Sequence, residues 1–240
     1  MAPARPHSVV PQVSRKEPPQ NSKRLLELLA LARDRGFAGK APPEEQLERS
    51  LAFSQMVAAP SNALDLGSGA GLPGLVLALH WPSSNWCFLE SKPKRAAWLR
   101  HALAVLELQD RCQVAEGRAE HLARTCLRGS FDLVTARAFG PPAATAECGA
   151  AFLAFGGRMI VAEPPLLPSS PPALVVQQVT EDSERRWPAR GLAQLGLRLD
   201  ATGVVPTSAG PVTLSRLVCY APCPELYPRR VGAPFKRPLF

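Results

Sequence analysis

Histidine is scarce: four in 240 residues, scattered at positions 7, 80, 101 and 121. The six cysteines, at 87, 112, 126, 148, 219 and 223, form no CxxC pair. A structural zinc site wants four ligands at short spacings, and Cys219 with Cys223 supplies two, so no metal centre is expected. Unframed thiols in a chain of this length read as reduced and mostly buried, which points to the cytoplasm. A long apolar run is also missing. The longest stretch without Asp, Glu, Lys or Arg, Leu66 to Leu89, contains four glycines and two prolines, so it cannot form the membrane-spanning helix of roughly 20 apolar residues. Near the N-terminus, Arg5, Arg15 and Lys16 are not followed by the apolar core of a secretory signal.

What is present is enough for one core. Hydrophobic residues make up 46% and charged residues 20%, a mix that excludes wholesale disorder and, at this length, favours a single domain with tails. Proline is abundant, at 26, and clustered: seven lie in residues 1–43, five in 164–172 and five in 221–240. Charge is uneven too. The net +8 comes entirely from the ends, with +5 in residues 1–40 and +3 in 221–240, while the 180 residues between them sum to zero. Basic ends on a neutral globule suit either a polyanion such as nucleic acid or simple solubility.

These shifts divide the chain into a disordered, basic, proline-rich arm (1–22), N-terminal helices (23–58), a main domain (59–220) and a basic C-terminal tail (221–240). Helices are expected over Lys23–Arg35, where Leu25, Leu28, Leu29 and Ala32 share a face, and from Pro43 to Val57. From Asn62 onward, apolar runs alternate with helical stretches, the pattern of repeated βα units. Strands are read at 63–66, 86–89, 112–115, 131–136 and 159–162, with helices at 73–80, 93–108, 120–127 and 143–153 between them. A loop at 164–172, a helix at 184–195 and strands at 197–205 and 212–220 follow. The fold expected is α/β: a mostly parallel seven-stranded sheet ending in an antiparallel C-terminal hairpin.

Ligands of such sheets bind at the carboxyl ends of the strands. The first strand runs into Asp65-Leu-Gly67-Ser68-Gly69-Ala-Gly71-Leu72-Pro-Gly74, a turn dense in glycine that lets backbone approach a nucleotide-like ligand. Gly69, Gly71 and Gly74 satisfy the dinucleotide fingerprint, with Glu90 at the following strand's end as the ribose-binding acid. Asp65, Gly67, Gly69 and Gly71 fit equally the acid-x-Gly-x-Gly-x-Gly pattern of S-adenosylmethionine sites. Asp65 would oppose a pyrophosphate but help hold the ammonium of a methionine moiety, and no hydride-transfer constellation follows strands 4 or 5, which favours the methyl donor. Ala119 and Glu120 lie after strand 3, at the level of an adenine ring, although Glu120 also suits a helix N-terminus. Arg137 follows strand 4, as a site cation or as the partner of a neighbouring acid.

The strand 4 exit, Ala136-Arg-Ala-Phe-Gly-Pro-Pro142, lacks the Asn/Asp-Pro-Pro-aromatic clamp for an exocyclic amine, and no cysteine nucleophile lies nearby for pyrimidine C5. Guanine N7 remains as an acceptor that owns a free lone pair and needs no general base. No catalytic residue is assigned.

The motif Asp65 to Gly74, with Lys94-Arg-Ala-Ala-Trp-Leu99, Gly117-Arg-Ala-Glu120, Ala136-Arg-Ala-Phe139, Leu214-Ser-Arg-Leu-Val218 and Tyr227-Pro-Arg-Arg-Val-Gly232, resembles the ribosomal RNA small subunit methyltransferase G family, also called glucose-inhibited division protein B. The resemblance implies a Rossmann-like class I S-adenosylmethionine-dependent methyltransferase that modifies guanine N7 in 16S rRNA. Gly67, Leu72, Ala119, Glu120 and Arg137 would contact the donor, and Arg229, Arg230, Lys236 and Arg237 would contact RNA. The partner implied is 16S rRNA or the small ribosomal subunit, no membrane is involved, and a monomer is expected. Glu163-Pro164 follows strand 5 where that family typically carries Lys-Gly. Two alternatives therefore stand beside this one: a diverged relative acting on another RNA or a small molecule, and a non-catalytic RNA- or ribosome-binding protein that keeps the fold.

Overall fold

The short apolar runs assemble into one seven-stranded sheet in the computed structural model, which describes residues 20–164 and 181–240. Its strands are β1 (Asn62–Leu66), β2 (Asn85–Glu90), β3 (Cys112–Glu116), β4 (Phe131–Ala136), β5 (Leu153–Ala162), β6 (Leu197–Val205) and β7 (Val212–Cys219). Their spatial order is β3-β2-β1-β4-β5-β7-β6. The first five pair in parallel, and β7 lies antiparallel to both β5 and β6. The expected hairpin is present, with its second strand inserted beside β5. Most of the proline-rich arm (residues 1–19) and most of the 164–172 loop lie outside the described residues.

Both faces of the parallel strands are covered, which is why those strands read as unbroken apolar runs. On one face, α1 (Gln20–Asp34), α3 (Gly74–His80) and α4 (Pro93–Val105) bring Leu25, Leu75 and Leu99 into a common cluster with Ala63 of β1. On the other, α5 (Ala119–Leu122) and α6 (Pro142–Ala150) bring Ala119 and Ala146 against Leu64 and Leu66. α2 (Pro43–Leu51) packs beside α1 and α3 and meets Arg137, just past β4, through Gln46 and Ser50; its chain continues as a tighter 3₁₀ turn over Ala52–Gln55, not the single helix to Val57.

Other boundaries move for identifiable reasons. β5 begins at Leu153, six residues before the expected strand, because Leu153 pairs with Phe131 and the register then shifts so that Arg158 faces Leu133. The glycine pair 156–157 is absorbed in that irregularity and does not precede the strand. The helix expected over 184–195 is divided: residues 181–186 are helical, Pro188 interrupts, and Ala189–Ala193 forms a further turn. The helix after β3 closes a single turn before irregular turns take over.

The last twenty residues pack against the domain. Tyr227 is buried, and Arg128 donates to the carbonyls of Cys223, Pro224 and Tyr227. Phe240 fills the space above Gly191, where a Cβ would fall 2.2 Å from its ring. Arg229 donates to both oxygens of Glu147 of α6, at 2.9 and 2.6 Å, and that carboxylate is fully buried. Of the four basic residues expected on RNA, Arg229 is thus engaged inside the protein, while Arg230, Lys236 and Arg237 are exposed. Removing one partner of a buried pair strands the other charge. Arg229→Ala is therefore expected to cost about 3 kcal/mol in urea unfolding, against about 0.5 kcal/mol or less for Arg230→Ala.

Candidate functional site

At the carboxyl end of β1 the chain must reverse over a neighbouring side chain. Gly67 has φ +69°, and a Cβ there would lie 2.6 Å from the ring of Phe139, so glycine alone fits both the backbone and the space. The turn is then clipped to the next strand. Ser68 donates its N–H to the carbonyl of Leu89 at 2.9 Å, and Gly69 donates to Glu90 Oε2 at 2.9 Å. Glu90 Oε1 accepts the N–H of Lys92 at 2.8 Å, and the whole residue is 4% exposed.

These elements line a cavity of about 320 Å³ whose walls include Gly67, Glu90, Gly117, Ala119, Glu120, Phe139 and Phe235. Each oxygen of Glu90 has one backbone donor and keeps lone-pair capacity for another, which suits the two adjacent hydroxyls of a ribose. Glu120, 2% exposed, accepts the N–H of Gly232 at 2.9 Å and so fastens the C-terminal segment beside the cavity. It also occupies the first turn of α5, as its alternative reading held. The volume falls in the usual range for nucleotide-sized ligands, roughly 300–1,000 Å³, and the residues fit S-adenosylmethionine.

Asp65 takes a different place from the cavity wall expected of it. Register sets it opposite Thr135 of β4, whose hydroxyl donates to Oδ1 at 2.8 Å beneath the glycine turn. The residue is 1% exposed and its Oδ2 has no hydrogen-bond partner. Burial raises its pKa to about 6, against the opposing pull of Thr135, Ser68, Gly74 and Arg137. Ser68, Gly69 and Gly71 shape the turn, and Leu72 faces the apolar cluster with Leu75 and Leu99. None of these four is among the residues lining this cavity.

Arg137 points away from that cavity. It donates to Gln46 and Ser50 of α2, an amide and a hydroxyl where an acid was the alternative. With Arg49, Phe53, Glu163 and Arg186 it lines a second cavity of about 370 Å³, and the two cavities share Ala138 and Phe139 as a common wall. Glu163 is held by three of its own neighbours. Trp187 Nε1 and Ser215 Oγ donate to Oε1, and Arg186 Nε donates to Oε2, all at 2.6 Å. The Cys148 thiol, on α6, is pushed up well beyond the ordinary thiol range by burial and then by Glu120 and Glu147. Sequence reading missed Arg49, Phe139, Arg186 and Phe235 as wall residues. Phe139 lies within a recognised motif; the other three come from distant segments with no local signal.

The family model described as rRNA small subunit methyltransferase G matches residues 42–163. The protein named Ribosomal RNA small subunit methyltransferase G from Roseiflexus castenholzii is 37% identical over 184 residues, covering 75% of this chain and 71% of its own. Its namesake from Moorella thermoacetica is 32% identical over 197 residues, covering 80% and 76%. Among solved structures, an O-methyltransferase from Bacillus cereus in complex with SAH superposes with a TM-score of 0.57 at 16% identity, over 86% of this chain and 93% of that one. That likeness is one of fold.

Two outcomes follow from this geometry. Glu90→Gln removes one acceptor oxygen and is expected to weaken S-adenosylmethionine binding about tenfold or more by calorimetry. Asp65 has a folded-state pKa above its unfolded value, so its burial is tolerated below about pH 4 and becomes costly as pH rises through 6. Between pH 4 and 7.5 the wild type should lose about 2 kcal/mol of urea-unfolding stability relative to Asp65→Asn, which does not titrate.

Proposed function

Since the chain belongs to the rRNA small subunit methyltransferase G family, we propose that it transfers a methyl group from S-adenosylmethionine to N7 of a guanine in 16S rRNA. The first cavity is the donor site: Glu90 holds the ribose, Ala119 and Glu120 border the adenine, and Gly67 leaves room for close backbone approach. S-adenosylmethionine supplies an electrophilic methyl on a positively charged sulfur. The acceptor enters the second cavity, so the methyl passes at the wall made by Ala138 and Phe139.

One observation supports the N7 reading above others. Glu163 is the single carboxylate among the described residues lining the acceptor cavity, and both its oxygens are occupied by internal donors. No histidine or cysteine shares that lining. A nucleophile that must first lose a proton would find there only a carboxylate already holding three donors, whereas guanine N7 presents a lone pair directly. Catalysis then consists of holding donor and acceptor in line and excluding water. Positive charge moves from sulfur to purine as the bond forms.

The chain acts in the cytoplasm on the small ribosomal subunit or its rRNA, as a monomer. Arg230, Lys236 and Arg237, exposed beside the donor cavity, add sequence-independent affinity for that polyanion. Labelled methyl transfer to naked 16S rRNA, small ribosomal subunits and bulk tRNA, followed by nucleoside analysis, tests the reading. The expected product is 7-methylguanosine from 16S rRNA. Label in another nucleoside, in tRNA alone or in no RNA would overturn it.

A further inference from the structure

Methyl transfer by itself does not account for the charge of the second cavity. Three guanidinium groups line it: Arg49 from α2, Arg137 from the exit of β4, and Arg186. Glu163 is the one acid in the lining, and its oxygens already accept from Trp187, Ser215 and Arg186; outside the lining, Glu45 lies 4.0 Å from Arg49 and the buried Asp65 acts on Arg137. Arg137 is engaged by Gln46 and Ser50. Its charged form is disfavoured first by burial and then by the nearby Arg49 cation. Like charges crowded at one partly desolvated wall create a standing positive potential, and an anion relieves it.

The other two arginines are placed to meet such an anion. Arg49 Nη2 donates to the carbonyl of Ala209 at 2.8 Å and lies 4.0 Å from Glu45, while its buried Nε has no partner. Arg186 is gripped through its inner nitrogen, Nε, by Glu163. Their side chains remain about one-third exposed, at 33% and 36%. A guanidinium fork matches the paired oxygens of a carboxylate or a phosphate, and the phosphodiester is the group an RNA acceptor brings. The cavity also offers Phe53 and Phe139 as apolar wall, and Phe139 is shared with the donor cavity. A base seated against the shared wall would leave its phosphates to the arginines.

We propose that Arg49 and Arg186 clamp the phosphodiester flanking the acceptor base, and that Glu163 is the positioning residue that holds Arg186 in the clamp. The inference rests on the reading that the acceptor is RNA. It assigns substrate binding to α2 and to the helical stretch 181–186, beyond the donor site and the basic C-terminal residues.

The test uses the full chain with small ribosomal subunits or their rRNA, whichever the wild type methylates. Arg49→Gln and Arg186→Gln are each expected to raise KM for RNA about tenfold while leaving the Kd for S-adenosylmethionine unchanged. Each should also flatten the dependence of log KM on log salt by about 0.7, the signature of one lost contact to single-stranded phosphate. Arg186→Lys, which keeps the charge, should restore that slope. Glu163→Gln alone should raise KM, and adding it to Arg186→Gln should cause no further loss, as expected if it acts through that arginine. Arg49→Gln leaves the Glu163 network intact and decides the matter should Arg186→Gln fail to fold. Wild-type KM and salt slope in the arginine variants, or a parallel loss of donor affinity and thermal stability, would overturn the clamp. A wild type that methylates no RNA would overturn instead the reading beneath it.

Discussion

The carboxylate and carbonyl of Glu90 tie together three loops that would otherwise end independently at the edge of the sheet. Its side chain accepts the N–H of Gly69 from the turn after β1 and that of Lys92 from the turn after β2, and its carbonyl accepts the N–H of Gly117 after β3. Parallel strands place these loops side by side but do nothing to hold their conformations. Charge-assisted bonds to backbone donors do, because they are stronger than neutral ones and are made in a nearly water-free place. The proposed donor cavity lies where it does because one residue satisfies its neighbours and retains acceptor capacity for a ligand.

The rest of that cavity comes from the chain's end. Glu120 holds the N–H of Gly232, Glu147 holds Arg229, and Phe235 lies 5.7 Å from Phe139, the ring that covers Gly67. Two buried acids on the main domain thus serve as fixed points for a segment with little secondary structure of its own. Burying Glu120 and Glu147 is costly without partners, and the docked segment supplies them. The same packing fixes the course of the segment that carries the exposed Arg230, Lys236 and Arg237.

Asp65 illustrates the opposite economy. Its neighbours supply one clear hydrogen bond, from Thr135, and burial leaves its acidity weakened. It sits under the turn whose glycine-rich spacing made it look like a ligand contact. Its effect on the site runs through the turn above it, since a Cβ at Gly74 would already come within 2.8 Å of its Oδ2.

Local chemistry was legible in the residues themselves. Apolar runs bounded by glycine and proline marked all seven strands, and the dense glycines after β1 marked the donor turn, because both depend on neighbours within a few positions. Glu90, Ala119 and Glu120 stood out for the same reason: Glu90 ends β2, and the other two lie three and four residues past the end of β3. Tertiary structure alone decided that β7 inserts between β5 and β6, that Arg49 and Arg186 share a cavity with Arg137, and that the basic tail packs inward through Arg229. Those outcomes depend on contacts between segments 52 to 160 residues apart. No pattern along the chain records which buried acid a distant arginine will meet, since that choice is made by packing and by the cost of leaving either charge alone.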